Sequence, residues 1–294
     1  MAADRQAAPP PGREEIEAEL AWERQWGPRA AIAAALAAIL PLGGAIAGGV
    51  LARDVQPEEG AQLLFVESHA GELLGIAVGL AIGALVTAGP LLYLYRVTRF
   101  RRRELPPVAA VMSVVGPLAL AVAQIGQQLV LNDRAHTFVT TGDQTYLEAK
   151  KLLEGGAIGT MRYLGLAGSL ALGFALVLVS LNAMRAGLLT RFMGILGILV
   201  GVLLVVPLLS PLPVVQAFWL GALAYLFLGR WPRGVPPAWG SGRAEPWPSQ
   251  QQLREQRERA KETKRQGTEP DAAEPDLSSS DQPSASRRKR KKRR

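Results

Sequence analysis

The chain has 294 residues, 49% of them hydrophobic, a formal net charge of +8 and no cysteine, which excludes disulfides, thiolate nucleophiles and cysteine-based zinc or iron–sulfur centres. Its mean hydropathy of +0.14 averages an apolar middle with very polar ends. The excess charge sits at one of those ends: residues 230–294 carry 17 Lys and Arg against 9 Asp and Glu, whereas residues 1–229 carry 16 of each. Heavy use of Arg over Lys, with abundant Ala and Gly, is associated with a GC-rich bacterial genome.

Residues 1–29 form a polar N-terminal segment. From Arg13 to Trp26, Ile16 with Leu20 and Trp22 with Trp26 recur at four-residue spacing among Glu and Arg. That periodicity predicts a partly amphipathic helix, lying on a membrane surface or packed on the end of a bundle. The first apolar run begins only at residue 30 and is too long for a signal h-region, which argues against a cleaved leader. Six apolar stretches then follow, at about 30–52, 73–95, 106–131, 160–184, 189–208 and 212–229, none with an interior Asp, Glu, Lys or Arg. A hydrocarbon core about 30 Å thick takes roughly 20 helical residues to cross. The expected fold is therefore an all-α membrane protein, a six-transmembrane-helix bundle over residues 30–229 with a cytoplasmic tail over 230–294.

The connections alternate in charge. Arg96, Arg99, Arg101, Arg102 and Arg103 follow the second stretch, Arg185 and Arg191 flank the turn after the fourth, and Arg230 and Arg233 follow the sixth. The first connection instead holds Asp54, Glu58, Glu59, Glu67 and Glu72 against Arg53, and the one from Asn132 to Thr160 is mixed. Positive charge marks the cytoplasmic side, so both termini are expected in the cytoplasm of a bacterial cell with the bundle in its cytoplasmic membrane. Tyr93, Tyr95, Tyr163 and Trp231 lie at the borders, where amphipathic rings favour the headgroup level. Gly75, Gly79 and Gly83, Gly44 with Gly48, and Gly197 with Gly201 give smooth strips for close helix packing. Within the chain's own bundle such strips bring neighbouring helices together; on its outside they would suit a dimer. Pro41, Pro90, Pro117 and Pro207 each remove a helix hydrogen bond.

Polar chemistry in the bundle is sparse. Gln124, Gln127, Gln128 and Asn132 cluster at the outer end of the third stretch, the three glutamines on one helix face. They suit either a polar pocket opening outward or hydrogen bonds between helices. His69 and His136 are the two histidines, in different outer connections beside Glu67, Glu72 and Asp133. If those connections meet, two imidazoles and a carboxylate could hold a divalent metal; otherwise they are solvated. The segment Asp143–Glu154 predicts a short helix outside the membrane, capped by Asp143 and ended by Gly155-Gly156. No GxSxG, Walker loop, HExxH or dinucleotide fingerprint occurs, no cofactor is implied, and an enzyme is not expected. The bundle has no intramembrane carboxylate to carry a proton or sodium ion.

The C-terminal region opens with Pro236-Pro237-Ala238-Trp239 and Glu245-Pro246-Trp247-Pro248, continues through a charged helix-prone stretch, and turns Ser-, Pro- and Asp-rich over 267–286, a composition that predicts disorder. It closes on Arg287, Arg288, Lys289, Arg290, Lys291, Lys292, Arg293 and Arg294. Eight consecutive cations attract anionic lipid headgroups or a ribosome or other RNA, or serve only to keep this end inside. With no aromatic residue among them to stack on bases, sequence-specific reading is not expected.

Leu188-Leu189-Thr190-Arg191-Phe192-Met193-Gly194-Ile195-Leu196-Gly197 resembles a recurring string of uncharacterised bacterial multi-pass membrane proteins, and Pro237-Ala238-Trp239 through Trp247-Pro248 is similar to a juxtamembrane segment of the same group. The resemblance implies a membrane bundle of unknown function and brings no activity, cofactor or site residue. A basic tail on a helical bundle is also similar to the membrane insertases that engage ribosomes; those carry an intramembrane Arg in a hydrophilic groove, which has no counterpart here. The sequence reading is a non-enzymatic structural or interaction protein whose tail contacts anionic lipid or a polyanionic partner. The alternative is a small-molecule transporter, channel or sensor built on the glutamine patch.

Overall fold

A computed structural model describes residues 12–205, 213–232, 234–245 and 258–259. The chain divides into two units, Met1–Trp247 and Pro248–Arg294; Glu258 and Arg259 are the described residues of the second. All regular structure among the described residues is α-helical: α1 (Arg13–Leu51), α2 (Glu59–Ser68), α3 (Ala70–Arg101), α4 (Val108–Thr140), α5 (Tyr146–Leu153), α6 (Gly156–Arg185), α7 (Arg191–Val205), α8 (Val214–Phe227) and α9 (Pro237–Ser241).

Four of these, α1, α3, α4 and α6, are long and apolar enough to cross a membrane. α7 and α8 are apolar but have 15 and 14 residues, about 22 Å each at helical rise against a core of about 30 Å. Their connection, residues 206–212 with Pro207, lies outside the described residues. The long helices carry wide bands of exposed Ile, Leu and Val, such as Ile32, Leu36 and Ile39 on α1 or Val111, Val115 and Leu118 on α4. Apolar side chains on the outside and helical backbone satisfied within each segment are what a bilayer requires.

The long helices pack antiparallel to their neighbours. α3 lies between α1 and α4, α6 between α4 and α7, and α8 closes back onto α1. Small residues permit the closest crossings. A Cβ on Gly116 of α4 would stand 2.6 Å from the backbone nitrogen of Leu172 on α6, and one on Gly168 would stand 2.9 Å from that of Leu120. Gly201 meets the backbone of Gly173, and Gly197 fits against Ser180 and the indole of Trp219. Gly44 and Gly83 bring α1 and α3 together, whereas Gly48, Gly75 and Gly79 face open space. Thus only part of the glycine pattern serves packing within the chain.

At the end of the bundle remote from the arginine-rich turns, α2 and α5 cover the last turns of α4. Leu63, Val66, Ala135, Phe138 and Ala149 form a small separate core there. α4 therefore runs beyond the expected border at residue 131, through polar Asn132, Asp133 and Arg134 to Thr140. α5 forms within the expected segment, but its N-cap is Thr145, whose side chain accepts a hydrogen bond from the Glu148 backbone N–H, as in a capping box.

Candidate functional site

The most elaborated polar and aromatic cluster among the described residues lies at the arginine-rich end. Expected as a separate segment, residues 13–29 are instead the first turns of α1, continuous with its apolar part. Acidic Glu14 and Glu15 favour the positive N-terminal end of that helix, and Arg99 and Arg101 favour the negative C-terminal end of α3. α1 and α3 are antiparallel neighbours, and Glu19 and Glu23 of α1 meet Arg96 and Arg101 of α3.

Arg101 of α3 turns inward. Its Nη1 and Nη2 donate to the two carboxylate oxygens of Glu23 at 2.5 and 3.1 Å, its Nε donates to the Ala238 carbonyl at 3.0 Å, and Nη1 also reaches the Val97 carbonyl at 3.2 Å. The two side chains are 0% and 5% exposed. Burial pushes the Glu23 carboxyl above its ordinary value near 4.5, and the hydrogen bond and charge of Arg101 hold part of that rise back. A bidentate pair with its remaining donors on carbonyls leaves little unsatisfied, the condition under which a buried ion pair persists.

Aromatic rings enclose the pair. Tyr93 donates its hydroxyl to the Glu23 carbonyl at 3.1 Å. Its ring stacks on Trp22 at 5.5 Å and meets Phe227 of α8 edge-on at 4.8 Å. Trp239 of α9 stacks 6.2 Å from Tyr93, and its indole N–H donates to the Leu188 carbonyl at 2.9 Å. The Glu245 N–H donates to the Ala186 carbonyl at 3.1 Å, extending this contact. Gly242, at φ 66°, lies against Ile16, where a Cβ would stand 2.6 Å from that side chain. The segment after α8 is thus fastened to α1, α3 and the α6–α7 turn.

The string Leu188–Gly197 reads structurally as a packing unit. The Thr190 hydroxyl accepts from the Met193 N–H at 3.3 Å at the start of α7, and the Met193 carbonyl accepts from the buried indole of Trp219 at 3.0 Å. Gly194 fits against Met184. Through the Trp239–Leu188 bond, the two strings that carry the resemblance touch each other.

The sequence-derived candidates lie at the opposite end. Gln128 donates to Asn132 Oδ1 at 2.8 Å, and Asn132 donates to the Ala70 carbonyl of α3 at 3.3 Å, which ties α4 to α3. Gln127 is exposed and Gln124 half-buried. His136 Nδ1 lies 3.0 Å from Glu67 Oε1, while His69 is engaged locally by Ser68 and the Phe65 carbonyl. Among the described residues no three His, Asp or Glu side chains converge on a metal position. The basic run Arg287–Arg294 lies outside the described residues, as do Arg233, Pro246, Trp247 and Pro248.

Sequence reasoning missed Glu23, Arg101 and Trp239 as a group. Glu23 between Trp22 and Trp26, and Arg101 within a run of five nearby arginines, look like solvated surface charges in a single sequence. The fold and this cluster define a helical bundle of membrane-spanning composition with one reinforced, arginine-rich end. No protein-family model matches the chain, and no curated protein or solved structure is significantly similar to it.

Proposed function

We propose that this is a six-span protein of the bacterial cytoplasmic membrane, with both termini in the cytoplasm, acting as a structural or interaction protein rather than an enzyme. α7 and α8 enter and leave from the arginine-rich end, so the two ends of the bundle share a side. The arginines gathered there are the positive charge that retains a membrane protein's cytoplasmic face.

The observation that carries the functional proposal is the fastening of Ala238, Trp239 and Glu245 to Arg101, Leu188 and Ala186. A segment that merely linked a bundle to a solubilising tail would need no such bonds. Fixed in this way, the chain leaves the cytoplasmic face from a defined point and carries its polycationic end to a polyanion, either anionic lipid or a ribosome or RNA.

Affinity purification from gently solubilised membranes, comparing the full chain with one ending at Ser286 across a salt series, tests this. Tail-dependent, salt-sensitive recovery of ribosomes, RNA or a protein partner, or tail-dependent retention of anionic lipid, is the expected result. Identical recoveries from both chains would refute a recruiting role for the tail.

A further inference from the structure

The arginine-rich end also carries a groove between α1 and α3 whose lining does not include Glu23 or Arg101. One lobe, of about 410 Å³, is lined by Trp22, Trp26, Arg29, Gly89, Leu92 and Arg96. It runs along α1 from Trp22 to Ala33, about 16 Å at helical rise. Its deep part is walled by small and apolar residues, with Gly89 close against Ala33. A second lobe, of about 660 Å³, adjoins it across Arg96 and Leu92 and is lined by Glu19, Tyr95, Arg96, Arg99 and Arg103.

Arg96 is preset at the junction. Its guanidinium lies 3.7 Å above the Trp22 ring and donates twice to the Glu19 carboxylate, at 3.3 Å each. Arg29 is held over Trp26 at 4.7 Å, and Arg99 over Tyr95, whose hydroxyl accepts from it. Arg103 is exposed. Four arginines therefore face the groove against the single carboxylate of Glu19. Cations held on ring faces, with an apolar slot beneath them, offer planar donors for a phosphate and a dry channel for a chain.

We infer that this groove binds one anionic phospholipid of the leaflet at the arginine-rich end. Its phosphate would sit among Arg96, Arg99 and Arg103, and an acyl chain in the slot between Trp22, Ala33, Gly89 and Leu92. A zwitterionic lipid would bring its own cation into a lobe already positive. The inference rests on the membrane placement proposed above and is independent of the tail.

The test uses the full chain in bilayers and compares tryptophan quenching by acyl-brominated phosphatidylglycerol with that by acyl-brominated phosphatidylcholine at equal mole fraction. The anionic lipid is expected to quench more strongly, and to do so equally in the chain ending at Ser286. The variants R103Q and R24Q each remove one exposed charge from the same end, in and away from the groove. R103Q should weaken the anionic preference about fivefold, and R24Q should leave it within about twofold. Equal quenching by the two lipids would overturn the inference, and so would equal losses in R103Q and R24Q. A preference lost on truncation but kept in R103Q would assign lipid binding to the tail. Abolition by inorganic phosphate would assign the groove to a soluble ligand.

Discussion

Glu23 and Arg101, 78 positions apart in the chain, form a buried bidentate ion pair that joins the start of α1 to the end of α3. The same guanidinium holds the Ala238 carbonyl, so one side chain ties three segments. Removing one member strands the other charge in a nearly water-free site, which typically costs about 3–5 kcal/mol. R101M is therefore expected to lower thermal stability in detergent sharply. The double variant E23Q/R101M should be less destabilised than R101M, since no buried carboxylate is then left unpaired. Equal or greater loss in the double variant would show that the pair's charge complementarity is not what holds this junction.

The pH dependence has a definite sign. The folded-state carboxyl of Glu23 titrates above its ordinary value near 4.5 because it is buried. The folded protein then binds this proton more tightly than the unfolded chain does. The corresponding stability is complete below the ordinary value and is lost as pH rises through the raised one. Unfolding followed from below pH 4.5 toward neutrality should show this decline in the native chain, and E23Q should remove that part of the slope.

The glycines separate into two behaviours. Gly197→Ala would place a methyl group 2.3 Å from the Ser180 hydroxyl and 2.8 Å from the Trp219 indole nitrogen. Such overpacking costs about 1–3 kcal/mol. Gly79→Ala meets nothing within 4 Å and should be neutral or stabilising by up to about 1 kcal/mol, through reduced backbone freedom. Melting temperatures of the two variants in the same detergent check the contrast. A destabilised Gly79→Ala would indicate a partner on that face.

Apolar run length made the helical class and the four long membrane-compatible helices legible from residues alone. Helix ends were less legible, because hydropathy reports the apolar part of a helix and not where its hydrogen bonds stop. α4 continues through Asn132–Arg134 since Ala135 and Phe138 find burial under α2 and α5, a tertiary reason no local pattern displays. The α5 cap was legible in principle: Thr145 and Glu148 stand at capping-box spacing, a stronger signal than Asp143. The Glu23–Arg101–Trp239 cluster was not legible, since its members come from three distant segments and each alone reads as a surface or border residue. The glutamine patch was visible because its residues are close in sequence, and two of them are engaged in tying α4 to α3.

Because the chain has no cysteine, single introduced cysteines report its sidedness directly, and this tests the membrane placement on which both the tail and the groove depend. Asp143 and Arg243 are exposed at opposite ends of the bundle. Asp143→Cys should react with an impermeant maleimide in intact cells, Arg243→Cys only after permeabilisation, and Ser210→Cys from outside. Reaction of Arg243→Cys in intact cells would contradict the proposed orientation. A Ser210→Cys that reacts only from the cytoplasmic side would contradict six spans and make α7 and α8 a re-entrant pair.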